Sequence, residues 1–344
     1  MAASPTNLST KVSKVSAKPA TRTSAKLGAP SKPLTRSKSE SDSETRAKAK
    51  ARTSSQTAAR STPASTDIVP IRPPGTVHGH LVDPRLSDVD EWGRSEHMRA
   101  LLRQVYEPVY SRWFRVEWEG MDRIPAHGGA LLVANHSGAI PSDAPVIMHG
   151  IERDMGRPVY GLADYFFRTV PVVGTLWSRA GGVSANPDNA YRLLHDQQQL
   201  ALVFPEGTKG PSKSYTDRYR LRRFGRGGFV EIAMRAGVPI VPLAVVGSEE
   251  TMPVVFRLPG LAKLLGVPYF PVTANVLLLG PLGVVVPFPA KFRVRVLNPI
   301  TFDVPPDLER YSKSRVMDEV ERIQSLIQEA LFDMLKTRQS VWFG

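Results

Sequence analysis

The sequence predicts an α/β fold, a single domain with a mostly parallel mixed sheet flanked by helices and preceded by a disordered tail. Two observations carry the prediction. Short uncharged apolar runs recur along the chain, each closed by a polar or glycine-containing turn, as buried strands are. Segments with helical periodicity lie between them, and strands that alternate with helices are typical of a largely parallel sheet.

Residues 1–75 are rich in Ser, Thr, Ala, Lys and Pro and are predicted to be a disordered basic tail. They hold 14 Lys and Arg against 4 Asp and Glu, whereas the remaining 269 residues hold 31 against 28, so most of the net charge of +13 belongs to the tail. With almost no large apolar side chains, the segment cannot bury enough surface to offset its ordering entropy. We expect it either to tether the chain to anionic lipid or to be a solvated linker or a segment ahead of the true start.

Residues 76–344 are predicted to form the folded domain, with helices where apolar residues recur at helical spacing. An amphipathic helix is expected over residues 95–114 and another over residues 225–236. The first of these is marked by Met98, Leu101, Leu102, Val105 and Val109. A C-terminal helix is expected over residues 311–338. Its apolar face consists of Val316, Val320, Ile323, Ile327, Leu331 and Met334.

Four apolar runs predict buried strands, at residues 130–134, 159–162, 200–204 and 239–246. Residues 292–297 alternate apolar and basic side chains instead. Such alternation suits a strand with one solvated face, and we therefore expect an edge strand there.

Residues 264–290 carry no charge and are strongly apolar, but they contain five prolines. Proline breaks helices, and an unsatisfied backbone is not tolerated in lipid. A spanning helix is therefore not expected. The segment is predicted to lie on the membrane or dip into it, and the alternative is a proline-rich cover over the core.

Composition and missing motifs exclude several classes of protein. The absence of cysteine removes disulfides, thiolate metal sites and a cysteine nucleophile. The sequence has no serine-hydrolase elbow, no phosphate-binding P-loop and no zinc motif, so no metal site is expected. No apolar run follows Met1, so no signal peptide is expected. Nucleic-acid binding is not expected, because the basic charge lies in a tail without interleaved aromatic residues.

The first chemical motif is a histidine at the end of a predicted strand. His136 follows residues 130–134 almost directly, and the ends of strands in α/β sheets are where ligands bind. Asp143 comes seven residues later, after Gly138 and Pro141 have turned the chain. A carboxylate that orients an imidazole makes a general base. Taken alone, such a pair is also a common structural contact.

Three further motifs follow. The run FPEGTK at residues 204–209 ends another predicted strand, and the amides of its turn could face an anion. The run GTLWSR at residues 174–179 ends in Arg179, which suits a phosphate but could equally be a surface charge. The run VPIVP at residues 238–242 begins a strand and has no chemistry of its own.

These four segments, in this order and at these separations, resemble the lysophospholipid/glycerolipid acyltransferase superfamily, the PlsC-like enzymes of the 1-acylglycerol-3-phosphate acyltransferase type. The resemblance covers roughly residues 95–300, with the catalytic motifs within residues 130–247, and FPEGT is its most specific element. It implies a glycerol-3-phosphate acyltransferase-like fold.

The resemblance also implies roles for individual residues. His136 would be the general base and Asp143 its partner. The remaining positions would bind substrate. They are Arg179 for the phosphate or polar head of the acceptor, Glu206 and Gly207 for the shape of the acceptor site, Pro242 for the side of the acyl donor, and also Gly174 and Thr208.

The chain departs from the family pattern at three places. Six residues separate His136 from Asp143 where four are usual. A related motif with this longer spacing occurs in the diacylglycerol-type branch of the superfamily. Trp177 and Ser178 stand where an aromatic–Ile pair is usual. Lys209 replaces a common arginine, which removes a bidentate contact.

The chemistry of acyl transfer agrees with these residues. A thioester needs no covalent intermediate, only a base for the acceptor hydroxyl and donors for the oxyanion. The donor is expected to be acyl-CoA or acyl carrier protein, with no cofactor. The expected acceptor is a lysophospholipid such as 1-acylglycerol 3-phosphate, and the alternatives are a neutral acceptor (diacylglycerol or a long-chain alcohol) or a non-catalytic lipid-binding protein. The expected partners are membrane lipid and acyl-CoA, at the cytoplasmic face of the membrane as a peripheral protein; the oligomeric state is left open.

Overall fold

The computed structural model describes residues 88–164, 172–267, 269–308 and 310–344. The predicted tail over residues 1–75 lies outside the described residues. The described part of the predicted domain alternates strands with helices in the expected manner.

The strands are β1 (Glu117–Glu119), β2 (Ala130–Ala134), β3 (Val159–Ala163), β4 (Gly182–Ser184), β5 (Leu200–Val203), β6 (Ile240–Val246), β7 (Val254–Arg257), β8 (Pro271–Thr273) and β9 (Arg293–Val296). The α-helices are α1 (Glu96–Pro108), α2 (Asp143–Met155), α3 (Val173–Arg179), α4 (Pro187–Tyr191), α5 (Gly228–Ala236), α6 (Ser248–Thr251), α7 (Pro259–Leu265), α8 (Ala274–Leu279) and α9 (Lys313–Lys336).

Within the described residues, seven strands form one sheet in the order β1-β9-β6-β2-β5-β3-β4. The strands from β6 to β4 are parallel. Strand β9 runs antiparallel to β6, and β1 runs parallel to β9. Strands β7 and β8 form a separate antiparallel hairpin. The predicted mostly parallel mixed sheet is confirmed.

Helices cover both faces of this sheet. Alternate side chains of each buried strand point to opposite faces, so each face contributes apolar side chains to a core. Leu131 and Val133 of β2 join the core under α5 and α9. Leu132 and Ala134 join the core under α2. Burial on both faces explains why β2 reads as a continuous apolar run rather than an alternating one.

The helix predicted over residues 95–114 ends earlier and faces differently from the prediction. Helix α1 ends at Pro108, which lacks a backbone N–H, and a π-helical turn over Val109–Trp113 follows. Leu101 is 48% exposed. The buried residue is instead Arg99, whose Nε donates to Glu152 of α2 at 3.0 Å. The ion pair with α2 therefore orients α1 together with the packing of Val109 against the core.

The prediction of an edge strand at residues 292–297 is wrong. Strand β9 lies between β6 and β1, so β1 forms that edge of the sheet. Val294 and Val296 are buried in the core, whereas Arg295 is partly exposed and its Nε lies 2.8 Å from a carboxylate oxygen of Glu119 in β1. The alternation reflects one solvated face of an internal strand.

The apolar segment over residues 264–290 is more ordered than a loop. It includes the end of α7, strand β8, helix α8 and a 3-10 turn over Gly280–Val284. In the described part of the chain, no helix is long and apolar enough to cross a membrane. Many large apolar side chains of the segment face solvent. They are Leu264, Leu265, Leu277, Leu278, Leu279, Leu282, Val284, Val285 and Val286.

The C-terminal helix packs as predicted, and this packing can be tested. Ile323 of α9 is fully buried, so Ile323→Ala leaves a cavity and is expected to lower the free energy of unfolding by about 2–5 kcal/mol. Phe332 lies on the same helix and is 45% exposed, so Phe332→Ala should cost far less. Denaturant unfolding of both variants measures the difference, and equal losses would contradict the assigned face of α9.

Candidate active site

The candidate site forms where three strands end together. Strand β2 lies between β5 and β6 and is parallel to both, so their carboxyl ends share one edge of the sheet. The segments after these strands are residues 135–142, 204–210 and 247–251, and they carry most of the polar residues that the sequence singled out. Parallel α/β sheets place ligands at this edge.

Asn135 fixes where the first segment leaves the sheet. Its side-chain amide donates to the carbonyl of Val245 at 3.0 Å, and its side-chain oxygen accepts the N–H of Val245 at 2.7 Å. The side chain thus continues the ladder between β2 and β6 after the backbone of β2 has turned away. His136, the next residue, begins the turn at a defined point.

The His136 imidazole faces the carboxylate of Asp143. Nδ1 lies 3.2 and 3.1 Å from the two carboxylate oxygens. Asp143 is fully buried at the start of α2 and accepts N–H groups from Ser137 at 2.9 Å and Ala144 at 2.8 Å. These bonds, with the positive end of the helix dipole, favour a carboxylate there. The six intervening residues therefore bring the predicted pair together.

The imidazole keeps one nitrogen available for chemistry. It stacks on Phe204 with the ring centroids 4.1 Å apart, and its side chain remains 15% exposed. With Nδ1 bonded to Asp143, the tautomer that donates from Nδ1 leaves Nε2 as an acceptor. Nε2 has no hydrogen-bond partner within the described residues.

Two glycines allow the turns to approach this closely. Gly138 has φ +82°, and a Cβ there would lie 2.9 Å from the carbonyl oxygen of Ser248. A Cβ at Gly210 would overlap the carbonyl oxygen of His136. Any larger side chain at either position would push the segments apart.

Glu206 holds two of the segments through one buried carboxylate. One oxygen accepts the backbone N–H of His136 at 3.0 Å, and the other accepts the backbone N–H of Arg222 at 2.7 Å. The ammonium of Lys213, itself buried, lies 3.4 Å from the second oxygen. Glu206 thus positions the backbone of His136, and its predicted role in acceptor binding stays a prediction.

Lys213 is shared with a second buried carboxylate, that of Glu249, at 3.0 Å. Burial raises the pKa of Glu249 to about 7, against the lowering effects of Lys213 and of the backbone N–H of Tyr219. One buried ammonium therefore faces two carboxylates, and the nearby charge of Glu206 adds to the rise in the pKa of Glu249.

A neighbouring buried group supports the segment after β6. The Tyr219 hydroxyl donates to Glu250 and accepts the backbone N–H of Gly247 at 3.1 Å. Burial, followed by the charge of Glu250, raises the pKa of Tyr219 well above its usual range. Arg338, just after α9, completes the group with its guanidinium 2.7 Å from Glu250. The C-terminal helix is thereby tied to the carboxyl edge of the sheet.

The turn after β5 is exposed beside His136. Gly207, Thr208 and Lys209 form a 3-10 turn on the surface. The N–H of Gly207 donates to the carbonyl of Phe204 at 3.0 Å, so this amide closes the turn and is not available to an anion.

The other predicted substrate-binding residues lie apart from His136. Gly174 is buried in the first turn of α3. Arg179 ends α3 just before β4 begins, at the amino-terminal edge of the parallel strands, and its guanidinium donates to the carbonyl of Gly93 at 3.4 Å. Pro242 lies within β6, paired with Val133. The structure does not bring these three residues to the imidazole.

The position of Pro242 has a structural explanation. Its carbonyl accepts the N–H of Leu297 at 2.9 Å, just beyond the last residue of β9. A proline is tolerated there because the missing N–H falls at the end of the ladder between β6 and β9.

Two features near the site, Lys213 and the arginine-rich run over residues 218–226, were not predicted from the sequence. Both belong to the segment that follows FPEGT, and the density of arginine in that run was visible in the sequence. Among the described residues, no group of His, Asp and Glu has the arrangement of a metal site.

A groove of about 810 Å³ adjoins the site between the β7–β8 hairpin, α7 and the segment around Ser212. Tyr269 lines this groove, and its hydroxyl donates to the carbonyl of Ala139 in the turn between His136 and Asp143 at 3.1 Å. Ser212 also lines the groove, and its N–H is bonded to the carbonyl of Thr208 at 3.3 Å. The groove therefore borders both turns of the site.

Comparison with known sequences places this site in a family context. Residues 115–246 match the Acyltransferase protein family. An uncharacterized protein of Mycobacterium tuberculosis is 37% identical over 295 residues, which span 83% of this chain and 82% of that protein. An uncharacterized protein of Mycobacterium leprae is 40% identical over 263 residues, 74% of this chain and 70% of that protein.

More distant similarity reaches a named enzyme and a solved structure. A bovine protein, the DGAT1/2-independent enzyme synthesizing storage lipids, is 26% identical over 256 residues, 71% of each chain. The crystal structure of the 1-acyl-sn-glycerophosphate acyltransferase PlsC from Thermotoga maritima is similar with a TM-score of 0.44 and 20% identity, over 70% of this chain and 83% of that chain.

The raised pKa of Glu249 predicts a pH-dependent stability. In the unfolded chain the carboxyl ionises around the ordinary value of 4.5, whereas in the folded protein it ionises around 7. Folding therefore favours the protonated form, and the contribution of this group to stability is lost as the pH rises from about 4.5 through about 7. Glu249→Gln should remove this dependence and leave Lys213 paired with Glu206. Melting temperatures of both proteins between pH 4 and pH 9 test it; curves that stay parallel would contradict the assignment.

Proposed function

Because the chain belongs to the acyltransferase family of PlsC-like enzymes, we propose that it transfers a fatty acyl group from acyl-CoA to the hydroxyl of a membrane glycerolipid, with His136 as the general base. The observation that carries the proposal is the imidazole of His136, held through Nδ1 by the buried carboxylate of Asp143 while Nε2 is available.

The reaction follows from this geometry. Nε2 of His136 takes the proton of the acceptor hydroxyl as its oxygen attacks the thioester carbonyl, and the Asp143 carboxylate stabilises the imidazolium that forms. The tetrahedral intermediate collapses as the C–S bond breaks, and the imidazolium returns the proton to the leaving thiolate.

The first candidate acceptor is a lysophospholipid such as 1-acylglycerol 3-phosphate, which the ordered motifs favour. The second is a neutral acceptor such as diacylglycerol. Two observations favour the second: Arg179, the expected phosphate ligand, is bonded at the opposite edge of the sheet, and the bovine relative is named for storage-lipid synthesis. Acyl transfer from radiolabelled acyl-CoA to lysophosphatidate and to diacylglycerol, assayed side by side, distinguishes them.

We also propose that the protein acts as a peripheral enzyme on the lipid surface that faces the acyl-CoA pool, the cytoplasmic leaflet. Between Glu250 and Asp303 the chain has no acidic residue, but it has five basic ones. They are Arg257, Lys263, Lys291, Arg293 and Arg295. Lys291 and Arg295 pair with glutamates of β1, whereas Arg257 and Lys263 are exposed. The same stretch holds the exposed apolar side chains of residues 264–286, and apolar surface next to exposed cations suits an anionic lipid surface.

The role of His136 can be separated from a structural one by using a second histidine as control. His136→Ala should lower kcat by about two to four orders of magnitude, as loss of a general base does, and leave the melting temperature nearly unchanged. His149 also contacts a carboxylate, with Nε2 2.7 Å from Glu107, but it is buried in α2. His149→Ala should lower the melting temperature and keep the activity of the folded fraction.

Both quantities are measured on the same preparations. A folded His136→Ala protein that transfers acyl groups at the wild-type rate would disprove the mechanism. Loss of activity in His149→Ala without loss of stability would indicate that His149 is the general base.

The proposed lipid-facing surface, formed by the exposed apolar side chains of residues 264–286, is tested by introducing negative charge into it. Leu278 and Val285 are 74% and 71% exposed, so Leu278→Glu with Val285→Glu should weaken binding to anionic vesicles without unfolding the protein. Activity on substrate dispersed in detergent should persist. Leu101 and Val105 of α1 are 48% and 64% exposed, and the same two changes there serve as the control. Equal vesicle binding by both double variants, measured by flotation, would contradict the surface.

A further inference from the structure

The segment between the FPEGT turn and α5 holds an unusual density of arginine. Residues 218–226 contain five arginines in nine positions and no acidic residue. Two of the five have partners. The Arg222 guanidinium lies 2.7 Å from Asp217, and the Arg218 guanidinium lies over the ring of Tyr215 at 4.5 Å from its centroid.

The other three arginines are exposed, and their guanidinium groups have no hydrogen bond or ion pair within the described residues. They are Arg220, Arg223 and Arg226, which recur at every third position. An arginine without a protein partner keeps its five N–H donors available for a ligand.

The backbone that carries them is held firmly from the inside. The N–H of Leu221 donates to Gln328 of α9 at 2.8 Å, and that of Phe224 donates to Gln324 at 3.4 Å. The Phe224 side chain is fully buried. Residues 220–225 have no regular secondary structure, so these bonds are what fixes their conformation.

Two further backbone bonds place the segment beside the catalytic turn. The N–H of Arg222 donates to Glu206, the same carboxylate that accepts the N–H of His136. The N–H of Gly225 donates to the carbonyl of Pro205 at 3.2 Å. The free arginines therefore extend from a loop that is bonded to the FPEGT turn itself.

We propose that Arg220, Arg223 and Arg226 form a binding site for the phosphates of the CoA moiety of the donor; this rests on the proposed function. One phosphate of an acceptor needs one guanidinium fork. Three unpaired guanidinium groups on a loop held by hydrogen bonds match a ligand with several separated phosphates, and CoA carries a diphosphate and a 3′-phosphate. The same chemistry would recognise the phosphomonoester of a lysophosphatidate, so the test separates the two sources.

The three arginines are called the arginine rim below. The test compares a variant of this rim with a control variant that loses the same number of positive charges. The rim variant carries Arg220→Gln, Arg223→Gln and Arg226→Gln. The control variant removes three exposed basic side chains elsewhere. These are changed as Arg112→Gln, Arg322→Gln and Lys336→Gln. The full-length proteins are titrated calorimetrically with CoA, with 3′-dephospho-CoA and with a short-chain lysophosphatidate, at low and high salt.

The rim variant should bind CoA about tenfold more weakly or worse, as expected for the loss of charge-assisted hydrogen bonds. The control should bind like the wild type, and 3′-dephospho-CoA should bind the wild type more weakly than CoA does. Unchanged CoA affinity in the rim variant would overturn the proposal, as would weakening for lysophosphatidate alone or equal weakening for both ligands. Acyl transfer is assayed separately. A wild-type protein that binds CoA through the arginine rim but transfers no acyl group would refute the proposed function and would still support the CoA-binding site.

Discussion

The Glu206 carboxylate is the contact on which the rest of the site depends. It is buried after β5, and it accepts the backbone N–H of His136 with one oxygen and that of Arg222 with the other. A buried carboxylate is costly unless it is paired and hydrogen-bonded, and here Lys213 and the two N–H groups meet that condition. Because a single rigid group joins the two loops, the position of His136 and that of the arginine loop are set together.

The charges around this carboxylate form a layer beneath the site rather than part of it. Lys213, Glu206 and Glu249 are buried together, and the neighbouring group of Tyr219, Glu250 and Arg338 reaches the end of α9. Removing one member of such a cluster leaves its partner as an uncompensated buried charge. The C-terminal helix is therefore coupled to the geometry of the site, although none of its residues contacts the imidazole.

Local pattern predicted much of the fold and of the site. Apolar runs predicted β2, β3, β5 and β6, and helical spacing predicted the buried face of α9. The pairing of His136 with Asp143 is also local, since a short turn joins them. Features that depend on distant partners were missed. The alternation in β9 could not reveal that β1 covers it, and the apolar stripe of α1 could not reveal that Arg99 pairs with Glu152 of α2. Likewise, the sequence around Arg179 does not say which edge of the sheet that residue reaches, which only the strand order determines.

We propose that Asp143 holds His136 with the proton on Nδ1, so that Nε2 is free to act as the base. The most direct test is nitrogen NMR of the imidazole in protein labelled at histidine, with His136→Gln used to assign its signals. At a pH where the imidazole is neutral, we expect Nδ1 of His136 to be protonated and Nε2 to be unprotonated. In Asp143→Asn we expect a shift towards the other tautomer. A His136 signal with the proton on Nε2 in the wild-type protein would contradict the proposed role of His136. The nitrogen assigned to catalysis would then have no lone pair to accept a proton.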